Sequence, residues 1–220
     1  MPVDLLIPVK PLAQAKTRLR GAADGGAGAD DAHARLVLAL ARDTVAAVAG
    51  AAVARRAVAI CSDAVVCRAL AEDGVETIPD APAAGLNPAL RYGESVLRTA
   101  DPTTAIGVLQ ADLPALRPTE LESALLAGLG TGRRAFCADR MGTGTTLLLA
   151  PAGQPLEPCF GPGSAAAHRA SCALELVGLW PGLRCDVDTA ADLARARNLG
   201  LGRFTRAMLA GSRVAAFPTE

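Results

Sequence analysis

Lysine is nearly absent. Of 22 basic residues in a chain of 220, only two are lysine, Lys10 and Lys16, and both fall in one seven-residue stretch of a sequence that also carries 48 alanines. Arginine and alanine in such excess mark a GC-rich coding background, so two neighbouring lysines call for a chemical explanation. Aromatic residues are scarce at 3%, with one Trp and one Tyr. The core must therefore be Leu, Val and Ala, which suffices at 51% hydrophobic content because a chain of this length buries roughly 70% of its surface. Net charge is missing too: 22 basic residues balance 22 acidic ones, which argues against nucleic acid as partner, since that binding rests on a positive field. The six cysteines (Cys61, Cys67, Cys137, Cys159, Cys172 and Cys185) form no C-x-x-C pair and the two histidines are isolated, so zinc and iron-sulfur sites are not expected. No apolar run approaches the ~20 residues of a membrane span, and Leu5 to Val9, interrupted by Pro8, has the wrong length and flanks for a signal peptide. A cytoplasmic chain with reduced thiols is expected.

What is present is alternation. Apolar runs at Val3–Val9, Arg56–Cys61, Val75–Ile78, Thr104–Gln110, Arg134–Ala138 and Thr145–Ala150 predict strands. Helical spacing predicts helices over Asp31–Ala49, from after Cys61 to about Glu72, and over Asn87–Thr99, Pro118–Leu129, Ser164–Cys172 and Ala190–Asn198. Leu174–Leu179 reads as extended, a short strand is expected to end at Cys185–Thr189, and the tail beyond Gly200 carries no strong signal. Strands alternating with helices imply right-handed crossovers and a mainly parallel sheet within a single domain over residues 1–220. In such sheets ligands bind beyond the carboxyl ends of the strands.

The segments at those ends carry the chemistry. After the first strand, Ile7-Pro8-Val9-Lys10 through Lys16-Thr17-Arg18-Leu19-Arg20 places four cations in eleven residues. Such a loop suits a nucleotide triphosphate or is a solvated basic surface; the rarity of lysine favours the first. It matches neither G-x-x-x-x-G-K-[ST] nor G-x-G-x-x-G, against P-loop and dinucleotide folds. Asp112 follows an apolar strand directly, as a turn residue or as a carboxylate that binds a cation such as magnesium. Asp186 and Asp188, two apart on an extended segment, project from one face. Asp188-Thr189 also suits a helix N-cap, but Asp186 does not, which favours a metal site shared by Asp112, Asp186 and Asp188. Gly142-Thr143-Gly144-Thr145-Thr146 and Phe160-Gly161-Pro162-Gly163-Ser164 are either tight turns or anion-binding backbone. Gly85 and Asn87 are weaker candidates, Asn87 reading a base or sugar or capping its own helix. His33 and His168 read as structural.

Taken in order, Leu6-Ile7-Pro8-Val9-Lys10-Pro11-Leu12, Ala15-Lys16-Thr17-Arg18-Leu19, Gln110-Ala111-Asp112-Leu113-Pro114, the Gly142–Thr146 loop, Phe160–Ser164 with His168, and Asp186-Val187-Asp188-Thr189 with Asp192-Leu193 closely resemble the guanylyltransferases of deazaflavin coenzyme (coenzyme F-420) biosynthesis. These use phosphoenolpyruvate in actinobacteria and 2-phospho-L-lactate in methanogens. The resemblance spans residues 3 to about 205 and departs at Thr17, where Ser is commoner, and at Ala190, where Pro often follows. It implies an α/β fold, a three-layer α/β/α nucleotidyltransferase of the Rossmann-like nucleotide-diphospho-sugar transferase type with a mainly parallel mixed sheet. It also implies transfer of GMP from GTP to phosphoenolpyruvate, giving enolpyruvyl-diphospho-guanosine and pyrophosphate, with Mg²⁺ as cofactor. The GC-rich composition favours phosphoenolpyruvate over 2-phospholactate. Residues carried over are Lys16, Arg18 and Asp112 for catalysis; Pro8, Lys10, Lys16, Arg18, Gly85 and Asn87 for the nucleotide; Thr146, Gly161 and Ser164 for phosphoenolpyruvate; and Asp112, Asp186 and Asp188 for the metal. Hand-over of product to the next enzyme of the pathway is a further implication. The competing readings are a transferase acting on CTP and a sugar or polyol phosphate, and a nucleotide-sensing module without catalysis.

Overall fold

The computed structural model describes residues 2–12, 15–81 and 83–214. Among these residues seven strands form one sheet: β1 (Val3–Pro8), β2 (Ala54–Ile60), β3 (Glu76–Ile78), β4 (Ala105–Leu109), β5 (Ala135–Ala138), β6 (Thr145–Ala150) and β7 (Leu174–Glu175), in the order β3-β2-β1-β4-β6-β5-β7. All neighbours pair parallel except β6, which runs antiparallel to both β4 and β5. The chain builds outward from β1 to β2 and β3, then returns to place β4 on the other flank of β1. That reversal leaves a crevice beyond the carboxyl ends of β1 and β4.

The helices are α1 (Asp30–Ala49), α2 (Ala64–Glu72), α3 (Leu86–Ala100), α4 (Pro118–Gly130), α5 (Ser164–Ala170), α6 (Ala190–Leu199) and α7 (Arg203–Val214). They cover both faces, which is why β4 is apolar and buried along its whole length. One face of β1, through Val3, Leu5 and Ile7, packs with residues of α1, α2 and α4, whereas Leu6 points to the opposite layer with Leu90 and Leu97 of α3. Gly93 lets α3 approach the sheet closely: a Cβ there would come within 2.8 Å of Ile60. A third cluster holds Leu19, Leu36 and Leu40 against Val187, Leu193 and Leu209, joining the basic loop to α1, α6 and α7. None of the helices among the described residues is long and apolar enough to cross a membrane.

The structure corrects the sequence reading in three places. Residues 185–188 form no strand; the segment is held by Val187 N–H donating to the Asp112 carbonyl at 3.0 Å. Of the extended stretch, Leu174 and Glu175 form the short strand and Leu176 N–H still donates to the Phe136 carbonyl at 2.8 Å, whereas Val177 and Leu179 are almost fully exposed. The tail contains α7, whose start is capped from a distance. Asp43 of α1, 4% exposed, accepts from the Phe204 and Thr205 amides at 2.9 Å each. Gly202 is required there, because a Cβ would stand 2.3 Å from the Asp43 carboxylate.

Candidate active site

The loop after β1 is anchored at several points. Leu12 N–H donates to Asp63 at the start of α2 at 3.0 Å, His33 Nε2 of α1 donates to the Ala15 carbonyl at 2.8 Å, and Leu19 is fully buried. Between these anchors Lys16 adopts the left-handed conformation, φ 54° and ψ 41°, a region costing an L-residue about 1–2 kcal/mol and found where function constrains the backbone. Lys16 donates to both Asp112, just beyond β4, and Asp188, the latter at 2.5 Å. Arg18 reaches Asp188 from the solvent side at 3.3 Å.

Asp112 is itself held in place. Thr44 of α1, fully buried, donates to the Ala111 carbonyl at 3.1 Å and accepts from Leu113 N–H at 3.0 Å, bracketing the aspartate. One carboxylate oxygen, Asp112 Oδ1, is buried with no partner.

Charge at this point is crowded and asymmetric. Burial works against the Lys16 ammonium, but the Asp112 charge and hydrogen bonds to Asp112 and Asp188 outweigh it and hold the pKa above the usual lysine value. Burial also works against an ionised Asp188, and the Lys16 hydrogen bond overcomes it, so this carboxyl stays below its ordinary value. For Asp186 the Lys16 charge acts the same way but is outweighed. Burial, then the charges of Asp112, Asp139 and Asp188, push it up to about 7. Asp139 is a member of this cluster that sequence reasoning missed. It follows the apolar strand β5 directly, just as Asp112 follows β4 almost directly, and that repetition was the available signal. Its carboxylate also organises the glycine-threonine loop, accepting from Thr143 N–H at 2.9 Å and Gly144 N–H at 2.8 Å.

A cavity of about 300 Å³ opens at the crevice, and Pro8, Lys10, Lys16, Arg18, Asp112 and Asp188 all line it. Its inner wall is apolar, with Val37, Leu40 and Leu86. Gly85, Asn87, Asp186, Thr146, Gly161 and Ser164 lie outside that lining. Thr146 and Ser164 are buried; Gln110 N–H donates to the Thr146 carbonyl at 3.0 Å, which puts the start of β6 beside the end of β4. Ala165 N–H donates to the Thr143 carbonyl at 3.1 Å and joins the glycine-threonine loop to α5. Gly161 at φ 138° and Gly163 at φ 73° take conformations that favour glycine. Asn87 neither caps its helix nor faces the cavity: its amide exchanges two hydrogen bonds with the Phe160 backbone.

The acids suit a divalent cation in chemistry, with hard carboxylate oxygens, one buried oxygen unpartnered, and repulsion that raises Asp186. In the arrangement present, the Lys16 ammonium joins Asp112 and Asp188, and no group of three His, Cys, Asp or Glu side chains among the described residues is set to hold a metal ion.

No protein-family model matches the chain. Curated relatives do. The chain is 50% identical over 209 residues to a phosphoenolpyruvate guanylyltransferase from Salinispora arenicola, an alignment covering 94% of this chain and 93% of the relative. It is 46% identical to one from Geodermatophilus obscurus, with 94% of each chain covered. It is 44% identical to one from Streptomyces coelicolor, covering 94% of this chain and 95% of that one. Among solved structures, a nucleotidyl transferase from Methanothermobacter superposes with a TM-score of 0.60 at 19% identity, covering 94% of this chain and 99% of that one. A 4-diphosphocytidyl-2C-methyl-D-erythritol synthase superposes at 0.56 and 16% identity, covering 90% and 98%. These structures establish the nucleotidyltransferase fold.

Proposed function

The chain belongs to the phosphoenolpyruvate guanylyltransferase family, and from that membership we propose that it transfers GMP from GTP to phosphoenolpyruvate, releasing pyrophosphate and forming enolpyruvyl-diphospho-guanosine. The observation that carries the site assignment is Lys16, held in a left-handed backbone between Asp112 and Asp188 in a cavity at the β1–β4 crevice.

In this reading the triphosphate lies against Lys10, Lys16 and Arg18, and the nucleoside enters between Pro8 and the apolar wall near Gly85 and Leu86. The acceptor is bound by Thr146, Gly161 and Ser164. A phosphate oxygen of the acceptor attacks the α-phosphorus; the bond from that phosphorus to the bridging oxygen breaks, and its electron pair departs with pyrophosphate. The attacking oxygen is already anionic at neutral pH, so no side chain has to remove a proton. The difficulty is bringing two polyanions together, and the lysines and Arg18 lower that repulsion while stabilising the leaving group. Asp112, Asp186 and Asp188 are the residues that would hold Mg²⁺. When bound, the ion supplies positive charge that screens the phosphates and stabilises the leaving pyrophosphate. The product is an activated phosphoanhydride, suited to direct transfer to the next enzyme of coenzyme F-420 biosynthesis in the cytoplasm.

Pyrophosphate release with GTP and Mg²⁺ tests the reading. Release is expected with phosphoenolpyruvate, and more slowly or not at all with 2-phospho-L-lactate, with loss in Asp112→Asn and Asp188→Asn. Turnover of CTP with a sugar phosphate, or full activity in both variants, overturns it.

A further inference from the structure

The connection from β6 to α5, residues 151–163, has no helix or strand of its own, and a loop of this length in a packed domain needs side-chain anchors to hold one shape. Four come from neighbouring helices, of which Arg98 of α3 holds the start of the loop by donating to the Gln154 carbonyl at 2.5 Å. On one side, Glu94 of α3 accepts from Leu156 N–H at 2.9 Å, and Asn87, seven residues earlier on the same helix, accepts from Phe160 N–H at 2.8 Å while donating to the Phe160 carbonyl at 2.9 Å. The Asn87 amide thus pairs with both backbone groups of one residue, as a neighbouring strand would. On the other side, His168 Nε2 accepts from Cys159 N–H at 3.0 Å. An acceptor at Nε2 requires the proton on Nδ1, which donates to Thr145 Oγ1 at 2.9 Å. The imidazole is fully buried and stands edge-on to the Phe160 ring, with centroids 5.0 Å apart. Burial, with the charge of Arg134, pushes its pKa down to about 4, so the neutral ring needed for this bonding persists at working pH.

Asn87 and His168 act on the two residues immediately before Gly161, whose φ of 138° favours glycine. We propose that Asn87 and His168 are positioning residues for the acceptor, a two-sided clamp that ties residues 159–161 to Thr145, the neighbour of Thr146 in β6, and touches neither substrate. Asn87 is thereby assigned to the phospho-acid side of the site rather than to the nucleoside. The inference rests on the reading that the acceptor binds at Thr146, Gly161 and Ser164.

The test is initial-rate kinetics on the full chain, varying GTP and acceptor separately, in Asn87→Leu and His168→Phe, which keep bulk and remove the hydrogen bonds. Each is expected to raise the acceptor KM about tenfold, the scale of a lost hydrogen-bonded anchor, while the GTP KM stays within about twofold. Asn87→Asp retains the acceptor for Phe160 N–H, and His168→Gln offers an acceptor to Cys159 N–H. Both should recover part of the loss, and they carry the test should the first pair fail to fold. A rise in the GTP KM alone in Asn87→Leu returns this residue to the nucleoside. Equal rises in both KM values, or a fall in kcat alone, reduce the clamp to general structural support; either result overturns the proposal. The acceptor is whichever of phosphoenolpyruvate and 2-phospho-L-lactate the wild type uses. A wild type that uses neither overturns the underlying reading and this inference together, whereas an active wild type without the KM split overturns this inference alone.

Discussion

Lys16 and Asp188 stand 172 residues apart in the chain and meet at 2.5 Å. Asp112 completes the bridge from a third segment. One ammonium thus pairs with carboxylates delivered by two separate connections, and its removal has two separable consequences.

Lys16→Met should lower kcat/KM by a factor on the order of 10²–10³, the scale for losing a preorganised charge at a reacting phosphate, with a larger rise in the GTP KM than in the acceptor KM. Lys16→Arg should not restore full activity, because the larger planar guanidinium does not fit the enclosed position that a compact ammonium takes between Asp112 and Asp188. The same Met variant leaves Asp112 buried without its partner, so urea denaturation should show a loss of about 3 kcal/mol. Equal loss for both substrates contradicts the triphosphate assignment.

Asp186→Asn should stabilise the protein while reducing its activity. The folded pKa of Asp186, about 7, lies above its ordinary 3.8, so the stability this residue allows is present below 3.8 and is lost as pH rises through about 7. The variant's gain in Tm should therefore be absent near pH 4, grow through pH 6 and level off above pH 7. Mg²⁺ should raise the wild-type Tm and do so less in the variant. A melting series in pH and Mg²⁺ decides both points.

His168 shifts in the opposite sense. Its folded value of about 4 lies below the ordinary 6.5, so the unfolded chain takes up the proton first. Stability is complete above pH 6.5 and falls as pH is lowered toward 4. His168→Gln removes that titration, and its stability curve should be flatter than wild type over this window. Parallel curves rule the assignment out.

Asp43→Ala should cost about 1–2 kcal/mol, as expected for removing a helix cap, with the GTP and acceptor KM values unchanged because neither Asp43 nor any described residue of α7 lines the cavity. Chemical denaturation alongside steady-state kinetics checks the separation.

Much of the site was legible along the chain. The rarity of lysine singled out Lys10 and Lys16, and Asp112 stood out because a carboxylate after an apolar strand needs a reason. Less was legible where a residue's role depends on what faces it. Asn87 carries the same amide whether it reads a base, caps a helix or pairs with Phe160, and only the packing of α3 against the 151–163 loop selects the last. Thr44 gives no local sign that it brackets Asp112. Helix α7 escaped detection because its cap, Asp43, lies on another helix 161 residues earlier. The expected strand at Cys185–Thr189 has the alternation of one, with Cys185 and Val187 buried, but its backbone bond to Asp112 is not continued into a ladder among the described residues.

The sequence by itself determined the alternation of strands and helices, the apolar run of β4 and the chemical types held at the strand ends, because period and composition are properties of neighbouring residues. Only the tertiary structure decided that Lys16 bridges Asp112 and Asp188, that Asp139 joins Asp186, and that His168 stays neutral beneath the 151–163 loop. Those outcomes depend on burial and on charges brought together across the fold, and distances between remote residues are set by packing rather than by spacing along the chain.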